Sequence, residues 1–306
     1  MGNTITIMNA KGGVGKSTLV LALADTLSTH HGKHVLVIDS DAHASVSNML
    51  MAPDWLEAAQ AHGQTVVDCF IAMVLEGASP DWREFIVKGV SDIDDARTIC
   101  LMPGGGHLTL FEREISKGGR EVQLRKAIRA FLDDVRKVYD YVLIDSAPGL
   151  SVLTECWLRE ADFYIAPTKP DFICVRGLQF LDEFRQRDLS IGFAESLGVV
   201  INMRDPHSTA DEQFDRWLRQ DVRNWCFEQS IMRTAALQAA AHFCPRPRSY
   251  WAKYPGQTGK CLRYLTLELL DRVAARQYRR AQASTDPATA ANHVGRSVSA
   301  GDAPNW

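Results

Sequence analysis

Paired cysteines, long apolar runs and a basic overall charge are all missing from this sequence of 306 residues. Its seven cysteines never form a C-x-x-C pair, the spacing of redox motifs and many zinc sites. No apolar stretch approaches the roughly 18 residues that a membrane-spanning helix needs. The formal net charge is −3, so overall charge does not indicate a nucleic-acid partner. These absences favour a reduced, cytoplasmic protein without membrane insertion.

At the two ends of the sequence we looked for the patterns of a secretory signal and of a membrane-binding helix. Residues 1–9 have neither the basic start nor the long apolar core of a secretory signal, so we expect none. Residues 281–306 are rich in Ala, Ser, Thr, Asp, Pro and Asn and show no aliphatic periodicity. We therefore predict a single domain at 1–280 followed by a disordered polar tail. This tail has no apolar stripe or basic face, so it does not resemble a membrane-binding amphipathic helix.

Short apolar runs alternate with helical patterns along the chain, and this alternation predicts the fold. Continuous apolar runs are typical of buried parallel strands. The candidate strands are 4–9, 34–39, 98–102, 141–145, 163–167 and 197–202. The candidate helices are 16–28, 121–137, 151–160 and 175–187, and region 52–97 is expected to form short helices over the sheet. We predict an α/β fold, doubly wound, with a mainly parallel sheet, helices on both faces and ligands at the carboxyl ends of the strands.

A glycine-rich loop connects the first predicted strand with the first predicted helix. It departs from G-x-x-x-x-G-K-[ST] at its first position, where Ala10 replaces glycine, and it contains a second lysine, Lys11. Backbone N–H groups of such a loop surround phosphates, Lys16 can reach the β- and γ-phosphates, and Ser17 can offer a hydroxyl to Mg²⁺. The residues predicted to contact the nucleotide here are Lys11, Gly12, Gly13, Val14, Gly15, Lys16, Ser17 and Thr18.

The form K-G-G-V-G-K-[ST] near the N-terminus resembles the ParA/MinD family of deviant Walker-A ATPases, and the likeness is closer to ParA-type partitioning ATPases. Further matching segments occur in the family's order from residue 4 to about 273. The resemblance implies a P-loop NTPase fold with ATP and Mg²⁺ as cofactors. It also implies that Lys11 reaches the nucleotide held by the other subunit of a dimer, which adds Lys11 to Lys16 as a catalytic residue.

Carboxylates follow two of the predicted strands. The segment Asp39-Ser40-Asp41-Ala42-His43 matches the family pattern D-x-D-P-Q at both aspartates but not at Pro-Gln. By resemblance, Asp41 would orient or activate the attacking water, and Asp39 would help to hold the Mg²⁺ shell. The apolar run 141–144 ends at Asp145, as in a Walker B strand, and this would add a metal ligand beside Ser17. Aspartates at strand ends can also merely cap the next helix.

A polar loop follows the last predicted strand. Asn202, Met203, Arg204, Asp205 and Pro206 resemble the family's adenine-contacting loop. Asn202 could pair with the adenine edge through its amide, with Arg204 and Pro206 beside it. Asn202 could instead be an ordinary turn residue before Asp205 and Pro206.

Positive charge is concentrated near the end of the chain. The C-terminal basic segment, residues 244–280, contains nine lysines and arginines against two acidic residues. Such an asymmetry favours nucleic-acid binding, although a solvated helix face is the alternative. The residues predicted to contact DNA are Arg263, Arg272, Arg276, Arg279 and Arg280.

Taken with the resemblance, these features predict an ATPase for partitioning a plasmid, chromosome or mobile element. It would be a monomer with ADP and a sandwich homodimer with ATP, and the dimer would bind DNA non-specifically at the nucleoid. A ParB-like adaptor would stimulate slow hydrolysis. One alternative is a MinD-like or cargo-positioning ATPase acting on protein or membrane partners. Another is an iron–sulfur carrier, which the absent C-x-x-C disfavours.

Overall fold

The computed structural model describes residues 1–187, 192–221 and 225–285, with side chains as far as residue 282. The chain divides into two units, Met1–Glu268 and a second that begins at Leu269, within the last helix and before the predicted boundary at 280. That helix continues to Thr285, so residues 281–285 are helical and the prediction of a disordered tail is wrong there. The rest of the predicted tail, residues 286–306, lies outside the described residues.

A seven-stranded sheet forms the centre of the first unit. Its strands are β1 Asn3–Ile7, β2 Val35–Ser40, β3 Val87–Lys88, β4 Ile99–Met102, β5 Tyr141–Ser146, β6 Phe163–Thr168 and β7 Glu195–Ile201. The strand order is β3-β4-β2-β5-β1-β6-β7, and only β3 runs antiparallel to its neighbour. The predicted fold class is confirmed, and the six predicted strands are present. The short edge strand β3 was not predicted, because two residues carry no periodicity.

Helices connect the strands. They are α1 Lys16–His31, α2 Ser45–Leu50, α3 Pro53–Ala61, α4 Val66–Phe70, α5 Leu108–Lys117, α6 Glu121–Val135, α7 Val152–Glu160, α8 Phe172–Arg187, α9 Thr209–Gln220, α10 Ala235–Ala240, α11 Tyr250–Lys253 and α12 Gln257–Thr285. The short helices α3 and α4, with a π-helical turn and a 3₁₀ turn, occupy much of region 52–97, as predicted. No helix in the described ranges is long and apolar enough to cross a membrane.

The register of the central strands brings three chain segments together at one edge of the sheet. Strands β1, β2, β5 and β6 are buried along their whole length, which explains their continuous apolar sequences. Strand β5 lies between β1 and β2, with Asp145 paired in register with Ile7 on one side and Asp39 on the other. The Ser146 hydroxyl donates to the Ile7 carbonyl at 2.9 Å. The carboxyl ends of these strands therefore meet where the glycine-rich loop begins.

Candidate functional site

The glycine-rich loop, residues 8–15, leads from β1 directly into the N-terminus of α1. Gly13 and Gly15 have φ values of 71° and 85°, in the left-handed region that favours glycine. Gly15 is the N-cap of α1, and no side chain caps that helix end. The first N–H groups of α1 therefore stay available to an anion at a position where the helix dipole favours negative charge.

The two loop lysines differ in their surroundings. Lys16 is only 7% exposed, whereas Lys11 is exposed. Burial lowers the pKa of Lys16, and the negative charges of Asp145 and Asp41 oppose that shift. Lys16 is thus a buried cation beside carboxylates, as expected of a residue that neutralises a bound phosphate. Separate roles for the two lysines stay a prediction.

Asp145 is a buried carboxylate with unfilled hydrogen-bonding capacity. Neither of its oxygens accepts a hydrogen bond of regular geometry within the described chain. Burial and the nearby Asp39 raise the pKa of Asp145 well above its usual range, and the Ser17 hydroxyl lies close enough to oppose that rise. A buried, unpartnered carboxylate is costly unless a cation or donor joins it. Asp145 and Ser17 therefore fit a bound Mg²⁺.

The donor set suits Mg²⁺ better than a metal enclosed by protein ligands. Among the described residues, no group of three or more His, Cys, Asp or Glu side chains is arranged to hold a metal. Mg²⁺ typically takes one or two protein oxygens and fills its remaining positions with water and substrate phosphates. The site is therefore suited to a metal that arrives with a nucleotide.

Asp39 is fixed by more hydrogen bonds than Asp145. Its Oδ2 accepts from the Ser47 backbone N–H at 2.8 Å and from the Ser47 hydroxyl at 2.7 Å, and its Oδ1 accepts from the Asp41 N–H at 3.2 Å. Burial raises the pKa of Asp39 to about 6, although the Ser47 bonds oppose the shift. A metal-shell role for Asp39 stays a prediction, since its oxygens already have protein partners.

Sequence reasoning missed the residues that hold Asp39 in place. The Ser47 hydroxyl also accepts from the Gly104 N–H at 3.1 Å, which links α2 to the loop after β4. A Cβ at Gly104 would lie 2.9 Å from the Asp41 carbonyl oxygen and 3.0 Å from the Asp39 Cγ. In the sequence, only Gly104 of the segment L-M-P-G indicated that the chain approaches another backbone closely here. Nothing in the sequence distinguishes Ser47 from an ordinary helix residue.

Asp41 lies at the rim of the site, and its side chain is 13% exposed. Its Oδ1 accepts from the His43 N–H at 3.0 Å and lies 2.9 Å from Nδ1 of His43. His43, whose side chain is 85% exposed, stands where the family pattern has glutamine. Asp41 is thus close enough for its negative charge to raise the pKa of Lys16, and its side chain is still partly accessible to water.

The predicted adenine contacts stay predictions, and the structure gives their protein partners. The amide nitrogen of Asn202 donates to the Val14 carbonyl at 2.8 Å, so one of its two N–H groups contacts the phosphate loop. The guanidinium of Arg204 is ion-paired with Asp215 at 3.2 Å, since Arg204 precedes α9 and faces its carboxylate. Pro206 is exposed in the turn that follows.

The C-terminal basic segment contains fewer surface cations than its sequence suggests. Lys253 is fully buried, with Nζ 2.7 Å from Asp25 Oδ2 and 2.7 Å from Asp92 Oδ1. Arg248 also reaches Asp92, at 2.7 Å. Two of the nine cations therefore neutralise buried carboxylates and are not available to a polyanion.

Two of the predicted DNA contacts are also buried. Arg272 and Arg276 are each 8% exposed, so the prediction that they project into solvent is wrong. They lie three residues from Leu269 and Val273, which belong to the buried stripe of α12, and helix geometry puts them beside that stripe. The remaining predicted contacts are exposed and stay predictions: Arg263, Arg279 and Arg280.

Comparison with known proteins places these features in a family. Residues 2–190 match the model of the AAA domain. The chain is 31% identical over 241 residues to a ParA family protein of Chlamydia pneumoniae, covering 78% of this chain and 86% of that protein. It is 29% identical to the sporulation initiation inhibitor protein Soj of Bacillus subtilis, covering 78% of this chain and 88% of Soj.

Solved structures share the fold at lower identity. Apo McdA from Cyanothece superimposes with a TM-score of 0.68 at 19% identity, covering 88% of this chain and all of McdA. pNOB8 ParA bound to nonspecific DNA gives 0.65 at 22%, covering 90% and 99%. Cobyrinic acid a,c-diamide synthase from Mycobacterium smegmatis, with an ATP analogue and magnesium, gives 0.63 at 22%, covering 88% and 94%. The loop, the strand-end carboxylates and these matches together show that the chain belongs to the AAA-domain family and, within it, to the ParA-type P-loop ATPases.

Proposed function

We propose that this chain hydrolyses ATP with Mg²⁺ and dimerises around the bound nucleotide, and that the dimer binds DNA non-specifically to partition a replicon. A ParB-like adaptor would stimulate its slow hydrolysis. The observation that carries the ATPase proposal is the unpartnered, buried Asp145 carboxylate beside Ser17 and Lys16. A cation and a phosphate would complete a site with this arrangement.

The residues of the site divide the chemistry between them. Ser17 and Asp145 would hold Mg²⁺, which supplies positive charge at the phosphates. Lys16 would neutralise charge on the β- and γ-phosphates, and the open N-terminus of α1 would donate backbone N–H groups. Asp41, which is partly open to solvent, would accept a hydrogen bond from the attacking water. Phosphoryl transfer needs little more than such positioning and charge stabilisation.

The exposure of Lys11 supports dimerisation around ATP, because an exposed loop lysine can reach a second subunit while the buried Lys16 would serve the phosphates of its own subunit. Light scattering with ATP–Mg²⁺ tests this idea. Asp41→Ala is expected to accumulate a dimer that cannot hydrolyse ATP, whereas Lys11→Ala should stay monomeric yet bind ATP. The matched control is Lys88→Ala, which removes another exposed lysine on a distant edge strand. Absence of a dimer in both wild type and Asp41→Ala would contradict the sandwich mechanism.

DNA binding is supported by a solved structure of similar fold and by the cations of the C-terminal basic segment that are exposed. pNOB8 ParA, a protein of the same fold, has been solved with nonspecific DNA. Arg263, Arg279 and Arg280 are exposed here, and Lys260 lies one helical turn before Arg263. A few cations per subunit give weak binding, and a dimer would double their number on one molecule. Fluorescence anisotropy with random-sequence DNA, with ATP and with ADP, tests this, and equal binding in both states would contradict an ATP-dependent switch.

A further inference from the structure

Two buried asparagines lie at the two ends of the phosphate loop. Asn9 opens the loop after β1, and Asn202 follows β7 and contacts the end of the loop. They are 0% and 4% exposed. Each bonds within the protein through both its amide nitrogen and its amide oxygen, and the identity of the partners fixes which way each amide is oriented.

Asn202 holds the end of the loop. Its Nδ2 donates to the Val14 carbonyl at 2.8 Å and lies 3.5 Å from the Gly15 carbonyl oxygen, while its Oδ1 accepts from the Met203 N–H at 2.9 Å. Val14 is fully buried, so loss of this donor would leave its carbonyl short of a partner in the interior. The backbone N–H of Asn202 donates to the Thr168 carbonyl at 2.8 Å, which ties the residue to the end of β6.

Asn9 holds the start of the loop in the same way. Its Nδ2 donates to the Pro167 carbonyl at 2.8 Å, and its Oδ1 accepts from the Lys11 N–H at 2.9 Å. Pro167 and Thr168 are consecutive residues at the end of β6. Both asparagines therefore connect the phosphate loop to one short stretch of a neighbouring strand.

Each asparagine amide is closely approached by the backbone of a glycine. A Cβ at Gly15 would lie 2.3 Å from the Asn202 Nδ2 and 2.9 Å from the Met203 Cε, and the positive φ of Gly15 also favours glycine. A Cβ at Gly177, on α8, would lie 2.5 Å from the Asn9 Oδ1. Glycines at these two positions let the backbone approach both amides.

We propose that Asn9 and Asn202 are positioning residues that set the shape of the phosphate loop before nucleotide binds, so that Asn202 acts on phosphate binding through the loop. If the backbone N–H groups of the loop are already in position, they need no reorganisation when phosphate binds. The loop then binds phosphate more tightly than a flexible loop would. The proposal rests on the nucleotide binding proposed above, but not on hydrolysis, dimerisation or DNA binding.

Inorganic tripolyphosphate separates the two possible roles of Asn202, because it carries the phosphates of ATP without the base. Binding of Mg²⁺–tripolyphosphate and of Mg²⁺–ATP is measured by calorimetry. Asn202→Ala is expected to weaken both ligands by a similar factor, about tenfold for one lost buried hydrogen bond. Asn202→Asp keeps the shape but loses the donor, and it should weaken both at least as much. Gln64→Ala, which removes an amide donating to the distant Glu84 carbonyl, is the matched control and should change neither affinity.

Weaker ATP binding with unchanged tripolyphosphate binding in Asn202→Ala would identify a base contact and overturn the proposal. Asn9→Ala provides a second variant if Asn202→Ala does not fold, and it should also weaken tripolyphosphate. A variant with a lower Tm that binds tripolyphosphate as tightly as wild type would show that the asparagines only stabilise the fold. If the wild-type chain bound neither ligand, the nucleotide site itself would be refuted, a result distinct from selective loss in the variants.

Discussion

The sequence predicted a function for both the phosphate-loop region and the C-terminal basic segment, but the charged side chains of the two regions differ in whether they have partners inside the protein. At the phosphate loop, buried charged groups keep unfilled capacity, as the two unpartnered oxygens of Asp145 show. In the basic segment, Lys253 and Arg248 are consumed by internal carboxylates, and Arg272 and Arg276 are buried. A buried polar group with unfilled hydrogen-bonding capacity indicates a ligand. A count of charged residues made from the sequence, in contrast, includes cations that pair with carboxylates inside the protein.

The largest expected effect tests the internal role of the basic segment. Lys253→Met would leave Asp25 and Asp92 buried with one cation fewer, and breaking a buried ion pair from one side costs about 3–5 kcal/mol. Urea unfolding measures the loss in the free energy of unfolding. Lys260→Met, an exposed lysine in the same segment, is the control and should change stability by less than about 0.5 kcal/mol. Equal stability of the two variants would remove the contrast drawn above.

A second prediction concerns the stability of the apo phosphate site. The pKa of Asp39 is raised to about 6, above its value in an unfolded chain. At pH values between these two pKa values, the folded protein therefore binds more protons than the unfolded chain does. This contribution to stability is therefore complete below about pH 4 and is lost as pH rises through about 6, amounting to about 3 kcal/mol. Asp145, whose pKa is also raised, acts in the same direction.

Urea unfolding without Mg²⁺ or nucleotide, from about pH 4.5 to about pH 7, measures this dependence. Asp39→Asn, which does not titrate, should fall less steeply with rising pH than the wild type. The comparison is between slopes, because the substitution also alters the bonds to Ser47. Parallel slopes for the two proteins would show that Asp39 is already ionised in the folded apo chain.

A third prediction tests Lys16 as the phosphate contact. Lys16→Ala removes the buried loop cation, and a charge-assisted hydrogen bond is commonly worth about 1.5–3 kcal/mol. We expect ATP affinity, measured by calorimetry, to fall by roughly ten- to a hundredfold. Lys11→Ala is the internal control and should leave the affinity of the monomer largely intact. Unchanged affinity in Lys16→Ala would end the phosphate-loop assignment.

The smallest expected effect sharpens the view of the basic segment. Arg279→Ala should lower the slope of log affinity for DNA against log salt by about one, because each neutralised phosphate contributes nearly one unit. Arg276→Ala, the buried counterpart one turn earlier, should lower the Tm and leave that slope unchanged. Anisotropy titrations over a range of salt concentrations distinguish the two. A reduced slope in Arg276→Ala alone would place the DNA contact on the buried side of α12.

Sequence reasoning succeeded where local pattern determines structure. The apolar runs before Asp39 and Asp145 predicted β2 and β5, and the glycine-rich loop predicted the start of α1, because burial on both faces and left-handed glycines leave direct traces in sequence. The contacts of Ser47 could not be predicted, since they depend on which loops meet across the sheet edge. The same limit applied to Asn202, whose residue type suited a base contact and a loop contact equally.

The buried pairing of Lys253 with Asp25 sets a lower limit on the length of a workable fragment. Asp25 lies on α1, the helix that begins at the phosphate loop, and Tyr254 also donates to it at 2.8 Å. A fragment ending at residue 190, where the match to the AAA domain model stops, would lack both partners and also β7. Such a truncation would keep the phosphate loop and the aspartates at the ends of β2 and β5, and would still leave Asp25 buried on α1 without these two partners. A minimal expression fragment therefore has to extend beyond Tyr254.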